Sequence, residues 1–169
     1  MITRVADIGP LLLLGRTEPN TALSSLRALA ASDDWQTREV AATALVEIAK
    51  RHPQAVLAVA NRWARDPNPY VRRAASEGLR GLVQTDPEGV RPILEQLRGD
   101  PDRYIQKSIA NVLRNASRKQ ATFVVALCAE WARSGDPVTR WTVKQGLRKL
   151  EMAGDPGAAR ILKTLAPSA

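Results

Sequence analysis

The chain has 169 residues, 44% hydrophobic and 25% charged, which is enough for one globular domain or one short solenoid and too little for two large domains. One cysteine and one histidine exclude an intramolecular disulfide framework and leave almost nothing for a zinc or haem site, so no metal and no other cofactor is expected. The longest apolar run near the start, Leu11 to Leu14, is too short for a signal-peptide core or a membrane span, and a cytoplasmic protein without a membrane partner is expected.

Repeats decide the fold. Leu29, Trp63, Leu97, Trp131 and Leu165 are spaced by 34, and so are Leu11, Leu45, Leu79, Leu113 and Leu147. Val56, Val90 and Val124 keep the same step, as do Val59, Ile93, Leu127 and Ile161, and together the columns fall at helical spacing. In chain order the predicted helices lie near 2–14, 20–31, 34–50, 53–65, 68–84, 87–98, 102–118, 121–134, 138–152 and 156–166, with no strands. Residues 1–169 then form one domain: an N-terminal half unit over 1–19, four helical pairs over 20–152 and a C-terminal half unit over 153–169. Asp66-Pro67, Asp100-Pro101 and Asp136-Pro137 punctuate the turns inside units, and His52-Pro53, Asp86 and Asp155-Pro156 lie near unit starts. Asp66 followed by Tyr70-Val71-Arg72-Arg73, and Asp100 followed by Tyr104-Ile105-Gln106-Lys107, resemble HEAT-type repeats. The expected fold is all-α, a right-handed α-α superhelix of HEAT-like repeats. In such repeats the inter-helix Asp and the Val-Arg pair stitch units together, and the second helix of each pair lines the concave side.

The net charge is +8, and its distribution is uneven. Residues 1–101 hold 13 basic and 12 acidic side chains, whereas residues 102–150 hold ten and three. A helical projection of Pro69 to Gln84 puts Val71, Ala75, Gly78, Leu79 and Leu82 on the buried stripe and Arg73, Glu77 and Arg80 on the exposed side. Carried forward by the period, the exposed positions become Lys107, Asn111 and Arg114, then Trp141, Gln145 and Arg148. With Arg72, Arg118, Arg140 and Lys144 they make a basic stripe suited to a row of phosphates. Exposed helices carry Arg and Lys for solubility alone, but an excess of seven positive charges confined to 49 residues points to nucleic acid.

Trp63 and Trp131 share the leucine column and are expected in the core. Trp35, beside Asp33 and Asp34, reads as a packing anchor. Trp141 stands in the column of Arg73 and Lys107 and is the aromatic best placed to touch a sugar or base. Cys128, in a column with Ala60, Leu94 and Leu162, reads as a small core residue, and His52 as a loop or capping residue with no nucleophile beside it.

The segments Val71 to Gly78 (VRRAASEG), Tyr104 to Asn111 (YIQKSIAN) and Thr139 to Arg148 (TRWTVKQGLR), followed by Gly154-Asp155-Pro156, resemble the AlkC/AlkD superfamily of DNA alkylation repair proteins, nearer to its AlkC-like branch. The likeness covers residues 70–160 well and 33–165 loosely. It implies a superhelix that cradles double-stranded DNA, alkylated DNA included, on its concave face. It also implies excision of N3- or N7-alkylated purines without base flipping, helped by a carboxylate that stabilises the sugar cation. Glu77 in Ala-Ser-Glu-Gly matches the acidic position of the AlkC-like motif. Arg72 stands where the AlkD-like branch has its catalytic Asp, and the second acidic group of the AlkC-like pattern is missing near Asn115. The basic stripe and this likeness together make Arg72, Arg73, Arg80, Lys107, Arg114, Arg118, Arg140, Trp141, Lys144 and Arg148 the expected DNA-binding residues. Two alternatives stand beside this reading: a relative without excision activity that recognises altered or branched DNA, and a scaffold for a protein partner.

Overall fold

The computed structural model describes residues 8–166, and among them regular structure is helical throughout: α1 (Gly9–Thr17), α2 (Pro19–Ala30), α3 (Trp35–Ala49), α4 (Pro53–Trp63), α5 (Pro69–Leu82), α6 (Pro87–Leu97), α7 (Arg103–Ala116), α8 (Ala121–Trp131), α9 (Pro137–Met152) and α10 (Pro156–Thr164). The helices follow the expected order. Of the helix expected near 2–14, the described part is Gly9–Thr17, which runs three residues past the expected end. Pro10 lies in the first turn of that described part, where its missing N–H leaves no bond unmade. Residues 2–7 of that expectation lie outside the described residues.

Each turn from a first to a second helix uses the same two-position device. Ser32 Oγ, Asp66 Oδ1, Asp100 Oδ1 and Ser134 Oγ accept from the backbone N–H two residues on, at 3.1, 2.9, 2.9 and 3.1 Å. The residues so held, Asp34, Asn68, Asp102 and Asp136, are the N-caps of α3, α5, α7 and α9, and their side chains accept from first-turn N–H groups. Asp136 therefore corresponds to Asn68 and Asp102, not to Asp66 and Asp100 as the Asp-Pro pattern suggests. Its role is a helix cap, and Ser134 takes the turn position.

In α3, α5 and α7 a side chain in the first turns of the helix closes the loop behind it. Arg38 Nη1 donates to the Ser32 and Asp33 carbonyls, both at 2.8 Å, and Arg72 Nη1 to those of Asp66 and Pro67 at 3.0 and 3.1 Å. Gln106 Nε2 does the same to Asp100 and Pro101 at 3.1 and 3.2 Å. Arg72 also pairs with Asp100 of the next unit, Nε to Oδ2 at 2.7 Å and Nη2 to Oδ1 at 3.2 Å, which is the stitch that the HEAT resemblance implies.

The 34-residue columns are the core. Leu11, Leu45, Leu79, Leu113 and Leu147 are all buried, as are Trp63, Leu97, Trp131 and Leu165, each leucine contributing about 1.5–3 kcal/mol on burial. Leu29, at the start of its column, is only partly buried. The second helices α3, α5, α7 and α9 pack on one another more extensively than the first helices do. Small residues allow that approach: a Cβ added at Gly146 would stand 2.6 Å from Leu113 Cδ1 and 3.0 Å from Leu113 Cβ. Closer spacing on that side curves the array toward the second-helix layer. Among the described residues no helix is long and apolar enough to cross a membrane.

Candidate nucleic-acid interface

The basic residues of α5 are engaged by carboxylates. Arg72 is held by Asp100 and by two carbonyls, and the Asp100 hydrogen bond raises its pKa further above the ordinary arginine value. It is part of the turn, so its expected place on an open DNA-binding face is corrected. Arg73 lies 3.8 Å from Glu39 of α3. Arg80 pairs with Glu77, one turn earlier on the same helix.

Glu77 is not on an open groove either; it is 6% exposed. Its Oε1 accepts from Ser108 Oγ of α7 at 2.7 Å, and Ser108 Oγ lies 2.7 Å from Ser76 Oγ. The projection placed Glu77 on the solvent side because it allows a helix one buried face. A second helix inside the stack has neighbours on both flanks, here α3 and α7, and only a narrow arc stays open. The pairing of Glu77 with Arg80 at i, i+3 spacing was legible in the sequence; the seat against Ser108 was not.

The basic residues of α7 and α9 are in a different state. Among the described residues, none of the ten Lys and Arg between 102 and 150 forms an ion pair. Arg114 Nη1 donates to the main-chain oxygen of Gln145 at 3.0 Å, and Arg148 Nη1 lies 3.4 Å from Gln145 Oε1. The two guanidinium groups thus meet over one residue of α9. Burial first and the charge of Arg148 second lower the pKa of Arg114, the signature of a cation in want of an anion. Lys107, Arg118 and Arg148 are exposed, and Arg140 and Lys144 are half-buried.

Aromatic side chains follow the N-terminal ends of the second helices. The guanidinium of Arg38 stacks on Tyr70 at 4.0 Å from the ring centroid, that of Arg103 on Trp141 at 3.6 Å, and Lys107 Nζ lies 5.7 Å from the Tyr104 centroid. Trp141 therefore presents one ring face already covered by Arg103, a residue that lies outside the sequence columns. Trp35 is 64% exposed, which corrects its reading as a packing anchor. As the first residue of α3 it projects from the end of the stack, not into it.

Trp63 and Trp131 are buried as expected, Trp131 with its Nε1 donating to Glu95 Oε1 at 2.7 Å. Cys128 is fully buried and its thiol is pushed up to about 12 by desolvation, so it is inert as a nucleophile. His52 precedes α4 without capping it; its Nε2 lies 3.3 Å from the Arg16 carbonyl. No three His, Cys, Asp or Glu side chains stand together as a metal site among the described residues.

A family model described as DNA alkylation repair enzyme matches residues 33–150. No curated protein matches the sequence. Among solved structures the chain is similar to the Pseudomonas fluorescens alkylpurine DNA glycosylase AlkC bound to DNA containing an abasic site analog, at a TM-score of 0.77 and 28% identity over 92% of this chain and 44% of that one. It thus spans less than half the length of that protein. The smu.31 protein of Streptococcus mutans UA159 shares the fold at a TM-score of 0.68 and 24% identity, over 85% of this chain and 74% of that one.

Proposed function

Since the chain belongs to the DNA alkylation repair enzyme family, we propose that it binds duplex DNA along α7 and α9 through Lys107, Arg114, Arg118, Arg140, Trp141, Lys144 and Arg148. The observation that carries this reading is that, among the described residues, the basic residues of 102–150 have no carboxylate partner, while Arg72, Arg73 and Arg80 of α5 each have one. A run of uncompensated cations is satisfied by a run of phosphates, and binding driven by counterion release weakens steeply with salt. Arg73 and Arg80 extend the face by exchanging a carboxylate for a phosphate; Arg72 stays with Asp100. Fluorescence anisotropy of a labelled duplex at two salt concentrations tests the reading. Arg114→Ala or Arg148→Ala weakens binding and leaves the fold intact; unaltered affinity in both overturns the assignment of the face.

The same reading includes excision of N3- or N7-alkylated purines with Glu77 as the carboxylate. Such a purine is already cationic, so it departs with the glycosidic electrons as a neutral base, and the positive charge passes to the sugar. Negative charge near that sugar is the stabilisation the protein supplies. Ser108 fixes the orientation of Glu77 for it. A second reading, DNA recognition without excision, is favoured by the ion pair with Arg80, which neutralises the carboxylate where the sugar cation would need it. Release of free methylated purine from alkylated duplex, compared between wild type and Glu77→Gln, separates the two. Release that vanishes in the variant supports excision, and salt-sensitive binding without release supports recognition alone. Absence of both leaves a scaffold for a protein partner.

A further inference from the structure

The described residues leave only four large hydrophobic side chains well exposed, and two of these, Trp35 and Tyr104 at 64% and 65%, line a single cleft. The cleft holds about 300 Å³ between the starts of α3, α5 and α7, and Arg38, Pro69, Tyr70, Arg73 and Asp102 complete its wall. Two exposed rings sharing one cleft rimmed by polar residues form a contiguous patch, the kind of surface that marks an interaction site.

Three classes of ligand can be weighed against the wall. An isolated phosphate would look for free N–H groups at the helix starts. Here the side chains of Asp34, Asn68 and Asp102 occupy first-turn N–H groups of α3, α5 and α7. A methylated ammonium would look for an open aromatic cage, but the guanidinium of Arg38 already lies on Tyr70 and Arg73 adds a second cation to the wall. A nucleotide satisfies both features at once, its base offering a π face to Trp35 and Tyr104 and its phosphate an anion to Arg73. In a duplex the base faces are stacked on their neighbours, so only an unpaired base presents one. The cleft is continuous with the proposed duplex face, since Lys107 lies against Tyr104 and Arg73 belongs to the same column as Lys107 and Trp141.

We propose that this cleft binds an unpaired nucleobase of a single-stranded segment adjoining the duplex held on α7 and α9. The inference rests on the DNA-binding reading and adds a second kind of contact to it. The experiment compares anisotropy of a blunt duplex with that of the same duplex carrying a six-nucleotide thymidine overhang, using wild type, W35A/Y104A, W35F/Y104F and R114A/R148A. Wild type favours the overhang by about tenfold or more, as one or two stacked bases supply. W35A/Y104A binds both DNAs with the blunt-duplex affinity, and W35F/Y104F, which keeps the rings, retains the preference. A preference that survives W35A/Y104A, or a wild type that binds both DNAs alike, overturns the proposal. Quenching of Trp35 by a trimethyl-lysine peptide but not by oligothymidylate overturns it in favour of a cation cage. Failure of the underlying reading looks different: R114A/R148A would then leave binding to both DNAs unaltered.

Discussion

Arg80 of α5 and Arg114 of α7 stand one repeat apart in the same column, yet the chain gives the first a buried carboxylate and the second a main-chain carbonyl and another arginine. The contrast extends to the neighbouring residues. Around α5 every arginine is tied to Asp100, Glu39 or Glu77, whereas no cation of α7 or α9 has an acidic partner among the described residues. A stripe of basic residues along a solenoid is thus two surfaces, one neutralised for holding units together and one left open for an anion.

The largest expected effect comes from removing the open pair. R114A/R148A lowers duplex affinity about 100-fold at low salt and reduces the slope of log affinity against log salt by about two, read by anisotropy across a salt series. On the neutralised side the effect moves from binding to stability. Arg72→Ala leaves the buried Asp100 without its partner and lowers the free energy of unfolding by about 2–3 kcal/mol in denaturant titrations, while the folded variant binds duplex within about threefold of wild type.

Glu77→Gln turns a neutralised arginine into an open one. The amide still accepts from Ser108, Arg80 loses its counter-charge, and duplex affinity rises about threefold with a slope steeper by about one. Unchanged affinity would mean that Arg80 does not reach the DNA. The smallest effect tests what the two halves have in common. Hydrogen bonds from Thr37 to Asp34, and from Thr139 to Asp136, hold both carboxyls below the ordinary carboxylate value of 3.8. Because the folded values are depressed, their stabilisation is complete above that value and is lost as the pH falls through the depressed range. D34N and D136N keep an N-cap but not this titration. Each therefore narrows the gap in Tm between about pH 5 and pH 3, and by equal amounts; unequal effects would mean the device differs between the ends of the array.

Much of this was legible because a 34-residue period averages out local noise. The leucine and tryptophan columns needed no structure to be placed in the core, since five consecutive units agree on them. Charge was harder to read. Glu77 sits at a position that a projection leaves exposed, and only the flanking α7, with Ser108 directed at it, buries it. Arg72 carried a signal of its own: its column runs Arg38, Arg72, Gln106 and Arg140, and the glutamine marks a donor to carbonyls in the first three, while Arg140 makes no such contact among the described residues. Arg103 and Trp35 escaped for another reason. They lie at the first residue of their helices, where side chains project past the stack and the repeat imposes no common role.

The turn device has a consequence for how such a chain changes over generations. Its acceptor, its cap and the carbonyls closed by the following side chain all lie within a few residues of one another inside one unit. A duplication or loss of 34 residues therefore carries its own turn intact, and the new seam asks for shape between apolar columns and for inter-unit pairs such as Arg72 with Asp100. A copy of the α5 region would bring along Glu77 and its pair with Arg80, whereas a copy of the α7 region would lengthen the open cationic face. The array can thus gain or lose length by whole units, while its affinity for a polyanion is adjusted separately, one carboxylate at a time.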